Sequence, residues 1–117
     1  MIEATILTTL LADTAVDAIV DDRIYAFQLP ENAVTYPAIT FQRISGIPDV
    51  ALSGHTGLDQ VRVQIDCWAR TYQAAKDLGV LVRTSFADIG IVKSDFDFYE
   101  SDTKLYRVSQ DFQFWQS

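Results

Sequence analysis

One stretch of the sequence alternates so regularly that it permits a single local structure. In DQVRVQIDCWA, residues 59–69, apolar side chains occupy every second position from Val61 to Ala69, and Arg62, Gln64 and Asp66 lie between them. Successive side chains of a strand point to opposite faces, so the pattern predicts a strand with one buried face and one polar face. Such strands are typical of antiparallel sheets with one covered side.

The rest of the chain supplies neighbours for this strand and a layer to cover it. Apolar spacing of three and four residues predicts a helix over 2–12, a shorter helical piece over 14–22 and a helix over 72–86 that Thr71 can cap. Residues 23–25 are expected to be extended, and further strands are predicted over 38–44, 90–100 and 104–116. We therefore predict one α+β domain over residues 1–117, with an antiparallel sheet of about four strands and two helices packed on one face.

Between the strands at 38–44 and 59–69 lies a segment with a different composition. It contains Gly46, Pro48, Gly54 and Gly57, which predict a loop too long for a tight hairpin, and it carries His55, the one histidine of the chain. Small residues permit several conformations, so this loop is a candidate arm that contacts another protein. The interface candidates within it are Ser45, Gly46, Ile47, Pro48, Asp49, Val50, Leu52, Gly54, His55 and Leu58.

Two tryptophans extend the list of interface candidates. Trp68 and Trp115 each fall on the face of their strand opposite the apolar row. Indoles exposed on a sheet face mark a protein interface, whereas indoles covered by a loop of the same chain do not. The sequence leaves both alternatives open.

The charge balance argues against several classes of partner. Sixteen acidic and nine basic residues give a net charge of −7, and the basic residues form no cluster. Nucleic-acid binding and binding to anionic membranes both need a basic face, so neither is expected. The N-terminus lacks the positive region of a signal peptide and no apolar run has transmembrane length, so we expect a soluble protein made in the cytoplasm.

The residues that usually carry chemistry form no catalytic set. His55 has Ser53 near it in sequence, but no recognised nucleophile motif surrounds them. Cys67 lies on the apolar face of its strand, where it acts as a small hydrophobe. Asp95 and Asp97 alternate with phenylalanines as on the wet face of a strand, without the spacing of a calcium loop. We expect no enzyme activity, no metal and no cofactor.

A longer pattern resembles a known family. It combines RIY at 23–25 with YPAITFQRISGIPDVALSGHTGLDQVRVQIDCWARTYQAAKDL at 36–78. An N-terminal helix precedes Arg-Ile-Tyr, a proline opens the first long strand, and Arg-Ile-Ser-Gly leads into a glycine-rich stretch. A Val-x-Val-x-Ile-Asp-x-Trp-Ala strand and a helix opening with Thr-Tyr-x-x-Ala follow. This order resembles the phage and prophage tail completion proteins, also called tail terminator or head–tail joining proteins.

The resemblance implies a structural role in the virion. Proteins of this family fold as α+β sandwiches and assemble into rings, commonly hexamers, that cap the tail tube and join it to the head connector. It implies a homo-oligomer with tail tube and head connector proteins as partners, located at the head-proximal end of the tail. DNA would pass through the ring without specific binding, and an acidic lumen, to which Asp95 and Asp97 could contribute, would repel phosphate.

Two other functions stay open from the residues alone. A small adaptor or immunity-type binding module would act as a monomer or dimer and form no ring. A small enzyme using His55 would need a pocket at that residue with a second titratable group nearby.

Overall fold

The strand predicted most clearly lies at the centre of a five-stranded sheet. A computed structural model describes residues 2–29, 35–51 and 54–116. Along the chain it has α1 (Ile2–Ala12), α2 (Thr14–Val20), β1 (Ile24–Ala26), β2 (Ala38–Ala51), β3 (Gly54–Ala69), α3 (Tyr72–Ser85), β4 (Gly90–Glu100) and β5 (Leu105–Gln116). The sheet order is β1-β2-β3-β5-β4, and every pair is antiparallel except β1 with β2.

The predicted α+β class is confirmed, with two corrections. The sheet has five strands because residues 24–26, predicted only as an extended piece, pair with Ile39–Phe41 of β2 in parallel. The sheet is therefore mixed rather than wholly antiparallel. The described residues form three helices rather than two, because the helical piece predicted over 14–22 is a separate helix, α2. Asp13 ends α1 and caps α2 by accepting hydrogen bonds from the backbone N–H groups of Ala15 and Val16.

The helices cover one face of the sheet, and the core lies between the two layers. The alternating row of β3 from Val61 to Ala69 is buried, as its pattern predicts. From α3, the core receives Ala75, Leu78 and Val82, and Phe86 follows just after the helix. Thr71 caps α3 as predicted, accepting a hydrogen bond from the Ala74 N–H at 3.2 Å. In α1, Ile6 and Leu10 are buried, whereas Leu7 and Leu11 remain partly exposed, so the apolar stripe is narrower than its sequence indicates.

Gly79 lets α3 lie directly on the sheet. A Cβ atom at this position would stand 3.1 Å from Val108 Cγ1 and 3.2 Å from Gln110 Nε2. The buried Gln110 side chain donates from Nε2 to the Gly79 carbonyl at 3.0 Å. The helix therefore approaches β5 closely at Gly79, and the buried Gln110 amide fixes this contact.

The segment predicted as a loop over 45–58 is mostly strand. β2 continues to Ala51 and β3 begins at Gly54, with paired positions from Gly46 opposite Val61 to Ala51 opposite Gly54. Register shifts occur between Arg43 and Ser45 and between Pro48 and Val50. Glycine and proline predicted a loop because they weaken strands in isolation, but β-bulges accommodate them. We call residues 45–58 the hairpin arm.

Candidate protein interface

The hairpin arm extends past the rest of the sheet. β5 accompanies β3 only as far as the pair Asp59–Gln116, and β1 covers β2 only from Ile39 to Phe41. Beyond these points, within residues 2–29, 35–51 and 54–116, the two strands of the arm pair only with each other. The molecule measures 50 × 28 × 24 Å along its principal axes. An isolated two-stranded ribbon is only marginally stable. The outer edges of its strands carry unpaired backbone N–H and C=O groups, which are available to another chain.

The structure distributes the interface candidates over this arm. His55 lies opposite Val50, and Gly54 opposite Ala51, beside the turn. Ser45, Gly46, Ile47 and Pro48 pair with successive residues of β3. Asp49 lies at the second register shift and Leu58 within β3. Leu52 and the neighbouring Ser53 lie outside the described residues. A role for these positions in an interface stays a prediction.

The face of the sheet away from the helices is open. We call it the open face; it carries the alternate positions of the strands, among them Thr40, Arg62 and Trp68. Trp68 is half-buried there, and its Nε1–H donates to Thr40 Oγ1 at 2.9 Å. A neighbouring strand of the same sheet thus satisfies the polar end of this indole. Trp115 pairs with Gln60 in the strand ladder, and its interface role stays a prediction.

Arg107 organises the end of the open face opposite to the arm. Its guanidinium carbon lies 4.5 Å from the centre of the Phe98 ring and 5.3 Å from the centre of the Trp68 ring. Nη1 donates to Asp66 Oδ2 at 3.4 Å, and Gln64 Nε2 donates to both oxygens of the same carboxylate at 3.0 and 3.1 Å. Sequence reasoning missed this cluster because its members come from three different strands.

Large apolar side chains are exposed on the edge strand β4. Phe96 and Phe98 lie on the open face with ring centres 6.3 Å apart, and Ile91 lies on the same side nearer the other end of the strand. All three are substantially exposed. Grouped apolar exposure on one edge of a sheet is typical of a protein interface.

Asp95 and Asp97 point to the helix side of β4, where they meet basic residues of α3. Asp95 Oδ2 accepts from Arg83 Nη2 at 3.3 Å, and Asp97 accepts from Lys76 Nζ at 3.3 Å and from the Tyr72 hydroxyl at 2.8 Å. The hydrogen bond to Asp97 raises the pKa of Tyr72 and that of Lys76. This side of β4, predicted to be solvated, is therefore only partly solvated. Both carboxylates form ion pairs with α3 and remain partly exposed.

The described residues offer no arrangement for metal or thiolate chemistry. Cys67 is buried, and desolvation raises the pKa of its thiol, so it packs as a hydrophobe. Within residues 2–29, 35–51 and 54–116, no cluster of three His, Cys, Asp or Glu side chains could hold a metal ion. Of the helices described, none is long and apolar enough to cross a membrane.

Comparison with known proteins agrees with this architecture. The family model described as tail completion protein gp17 matches residues 4–117. The chain belongs to this family. The match confirms the resemblance and covers nearly the whole chain. Membership gives the chain a structural role in a phage tail.

A solved structure shows the same fold. The chain is similar to a protein in the virion of a native gene transfer agent particle, with a TM-score of 0.64 and 18% sequence identity. The alignment covers 94% of this chain and 90% of that one. Among curated proteins, none matches the chain.

Proposed function

We propose that this chain assembles into a closed homo-oligomeric ring, with six copies, that caps the tail tube and joins the tail to the head connector. The observation that carries the proposal is the hairpin arm on a tail completion fold, because its paired strands extend beyond the sheet that would otherwise satisfy them. The protein acts at the head-proximal end of the tail, in a phage or prophage virion, and performs no catalysis.

A ring requires two different patches on each copy. In a heterologous interface, one surface of a subunit meets a different surface of the next, and the rotation between them closes the ring. The arm lies at one end of β2 and β3, while the apolar edge strand β4 lies across the sheet from β2. The molecule thus offers two separate unpartnered surfaces, which suits head-to-tail assembly.

The arm is tested by deletion. Removing residues 46–57 is expected to leave a folded monomer, because the core described for β3 runs from Val61 to Ala69 and packs against α3. The same deletion is expected to abolish ring formation and tail joining. Light scattering over a range of concentrations, with and without tail tube protein, measures ring formation. Circular dichroism with urea unfolding verifies the fold of the monomer. Val80→Ala, an exposed truncation on α3, serves as the control and should retain rings.

The results separate the competing functions. A mass near that of six chains, alone or after addition of tube protein, supports the ring. A full-length protein that remains a monomer or dimer at every concentration and ignores tube protein contradicts it and favours an adaptor-type binding module. An unfolded deletion variant would show that the arm contributes to the core instead.

DNA passage through the ring is part of the proposal. The net charge of −7 supports a lumen that repels phosphate rather than one that binds it. Double replacement of Asp95 and Asp97 by Lys is expected to slow DNA passage if these residues line the lumen. Replacement of both by Asn also breaks the ion pairs to Arg83 and Lys76 without adding positive charge, so it is the matched control. Equal DNA delivery by both variants and the parent would place the two residues outside the lumen.

A further inference from the structure

A groove of about 440 Å³ lies on the open face, at the end of the sheet away from the hairpin arm. Trp68, which lines it, pairs with Ala38 at the start of β2, whereas the arm begins only at residue 45. The ring proposal makes no use of this groove. Its principal lining residues are Phe27, Tyr36, Asp66, Trp68, Glu100 and Arg107.

Phe27 is held on the groove in an unfavourable conformation. Its φ is 70°, a left-handed value that bulky side chains seldom adopt. The Gln28 N–H donates to the Ala26 carbonyl at 2.9 Å, which closes a three-residue γ-turn around Phe27, and the φ value is that of the rare, strained form. The Phe27 N–H is itself fixed by the Phe41 carbonyl at 2.8 Å.

This conformation brings no compensating burial to the side chain. Phe27 is 68% exposed, more than any other large hydrophobic residue described. Packing among the described residues therefore accounts neither for an aromatic residue at this position nor for the turn that displays it. Backbone strain combined with apolar exposure is typical of a site that meets a ligand.

The charges of the groove select the ligand. Among the residues that line the groove, the carboxylates of Asp66 and Glu100 and the guanidinium of Arg107 leave a net charge of −1. Arg70, outside this lining, has its guanidinium carbon 5.2 Å from the centre of the Tyr36 ring. Asp66 already accepts from Arg107 and Gln64, but Glu100 Oε1 lies 3.8 Å from Arg107 Nε, beyond hydrogen-bond distance. Glu100 is partly exposed and can accept a further cation. Aromatic faces beside a carboxylate favour an arginine or a lysine, and they disfavour phosphate.

We propose that this groove is a docking site for an extended segment of a partner protein that carries an arginine or lysine. The cationic side chain pairs with Glu100 and lies beside Phe27, because Arg107 already lies over the Trp68 ring and Arg70 over the Tyr36 ring. Flanking apolar residues of the segment cover the rest of Phe27. The site lies at the opposite end of the sheet from the arm, so docking there does not require the arm.

The test uses a defined probe on the full-length protein. A Gly-Leu-Arg-Leu-Gly peptide, blocked at both ends, is titrated while the Trp68 indole N–H is followed by NMR, with Trp115→Phe assigning the two indole signals. We expect a saturable shift of the Trp68 signal, and binding weaker by about fivefold or more when glutamine replaces the arginine of the peptide.

Variants of the protein separate the groove from general attraction to an acidic surface. Glu100→Gln is expected to weaken binding by about fivefold or more, as one lost charged contact does. Phe27→Gly should weaken binding while preserving the fold, since glycine accepts the φ of this turn. Asp22→Asn removes the same charge at an exposed site after α2 and should leave binding unchanged.

Several outcomes would overturn the proposal. These are the absence of a Trp68 shift, equal binding of the arginine and glutamine peptides, and equal weakening by Glu100→Gln and Asp22→Asn. A duplex oligonucleotide that shifted the same indole signal would also overturn it, by assigning the groove to DNA. Should Phe27→Gly fail to fold, Glu100→Gln and the peptide pair decide. Light scattering on the same samples reports ring formation separately.

Discussion

The two faces of the sheet differ in composition and in packing. The face under the helices is apolar and closely packed: Phe86 meets Phe112 and Phe114 edge-to-face, with ring centres 5.5 and 5.3 Å apart. The open face carries ion pairs and half-exposed rings, including Arg62 with Asp111 and Arg107 with Asp66. The covered face provides the free energy of folding, while the open face remains available to partners.

Residues on the two faces should therefore respond differently to substitution. Truncating a buried apolar side chain on the covered face lowers the free energy of unfolding, because the tightly packed neighbours collapse only partly into the cavity. The Arg62–Asp111 pair on the open face is partly exposed to water, so its loss is mostly compensated by hydration. Two measurements of the free energy of unfolding test this difference, one on each face.

The larger effect is expected on the covered face. Leu78 of α3 is fully buried against the sheet, so Leu78→Ala should lower the free energy of unfolding by about 2–5 kcal/mol. Val80 of the same helix is 62% exposed, and Val80→Ala should change it by less than about 0.5 kcal/mol. Urea unfolding followed by circular dichroism measures both. Similar losses in the two variants would mean that α3 does not pack through the predicted face.

The smaller effect is expected on the open face. Arg62 Nε donates to Asp111 Oδ1 at 3.2 Å, and Nη2 pairs with Oδ2, across β3 and β5. Both side chains are partly exposed, so Asp111→Asn should cost roughly 0.2–1 kcal/mol. The difference from the parent should shrink in about 1 M salt, which screens exposed charges. A loss above about 2 kcal/mol, unaffected by salt, would show that this face contributes to the fold as the covered face does.

The elements with strong local patterns were predictable from sequence. β3 and α3 each follow one period over many residues, and Thr71 supplies a cap with a local hydrogen bond. The resemblance to tail completion proteins depended on the same elements, and the family match confirms it. The signals that predict these features come from residues close together in the chain, so they can be recognised in a single sequence.

The hairpin arm shows where local patterns mislead. Gly46 and Pro48 weaken a strand in isolation, yet their partners Val61 and Asp59 are also held by Phe114 and Gln116 of β5. Pairing with β3 thus extends β2 through residues that favour a loop, and the register shifts absorb the misfit. The sequence carried no local signal for this, because β5 lies about fifty residues away along the chain.

What the sequence determined by itself was the alternating strand, the amphipathic helix and the acidic charge, and with them an α+β domain with one covered face. Only the tertiary structure decided the length of the arm and the surroundings of Arg107. It brings together Trp68, Phe98 and Arg107 from three strands, and it holds Phe27 in a strained turn. The physical reason is that periodicity is a property of neighbouring residues, whereas strand pairing joins residues distant in sequence.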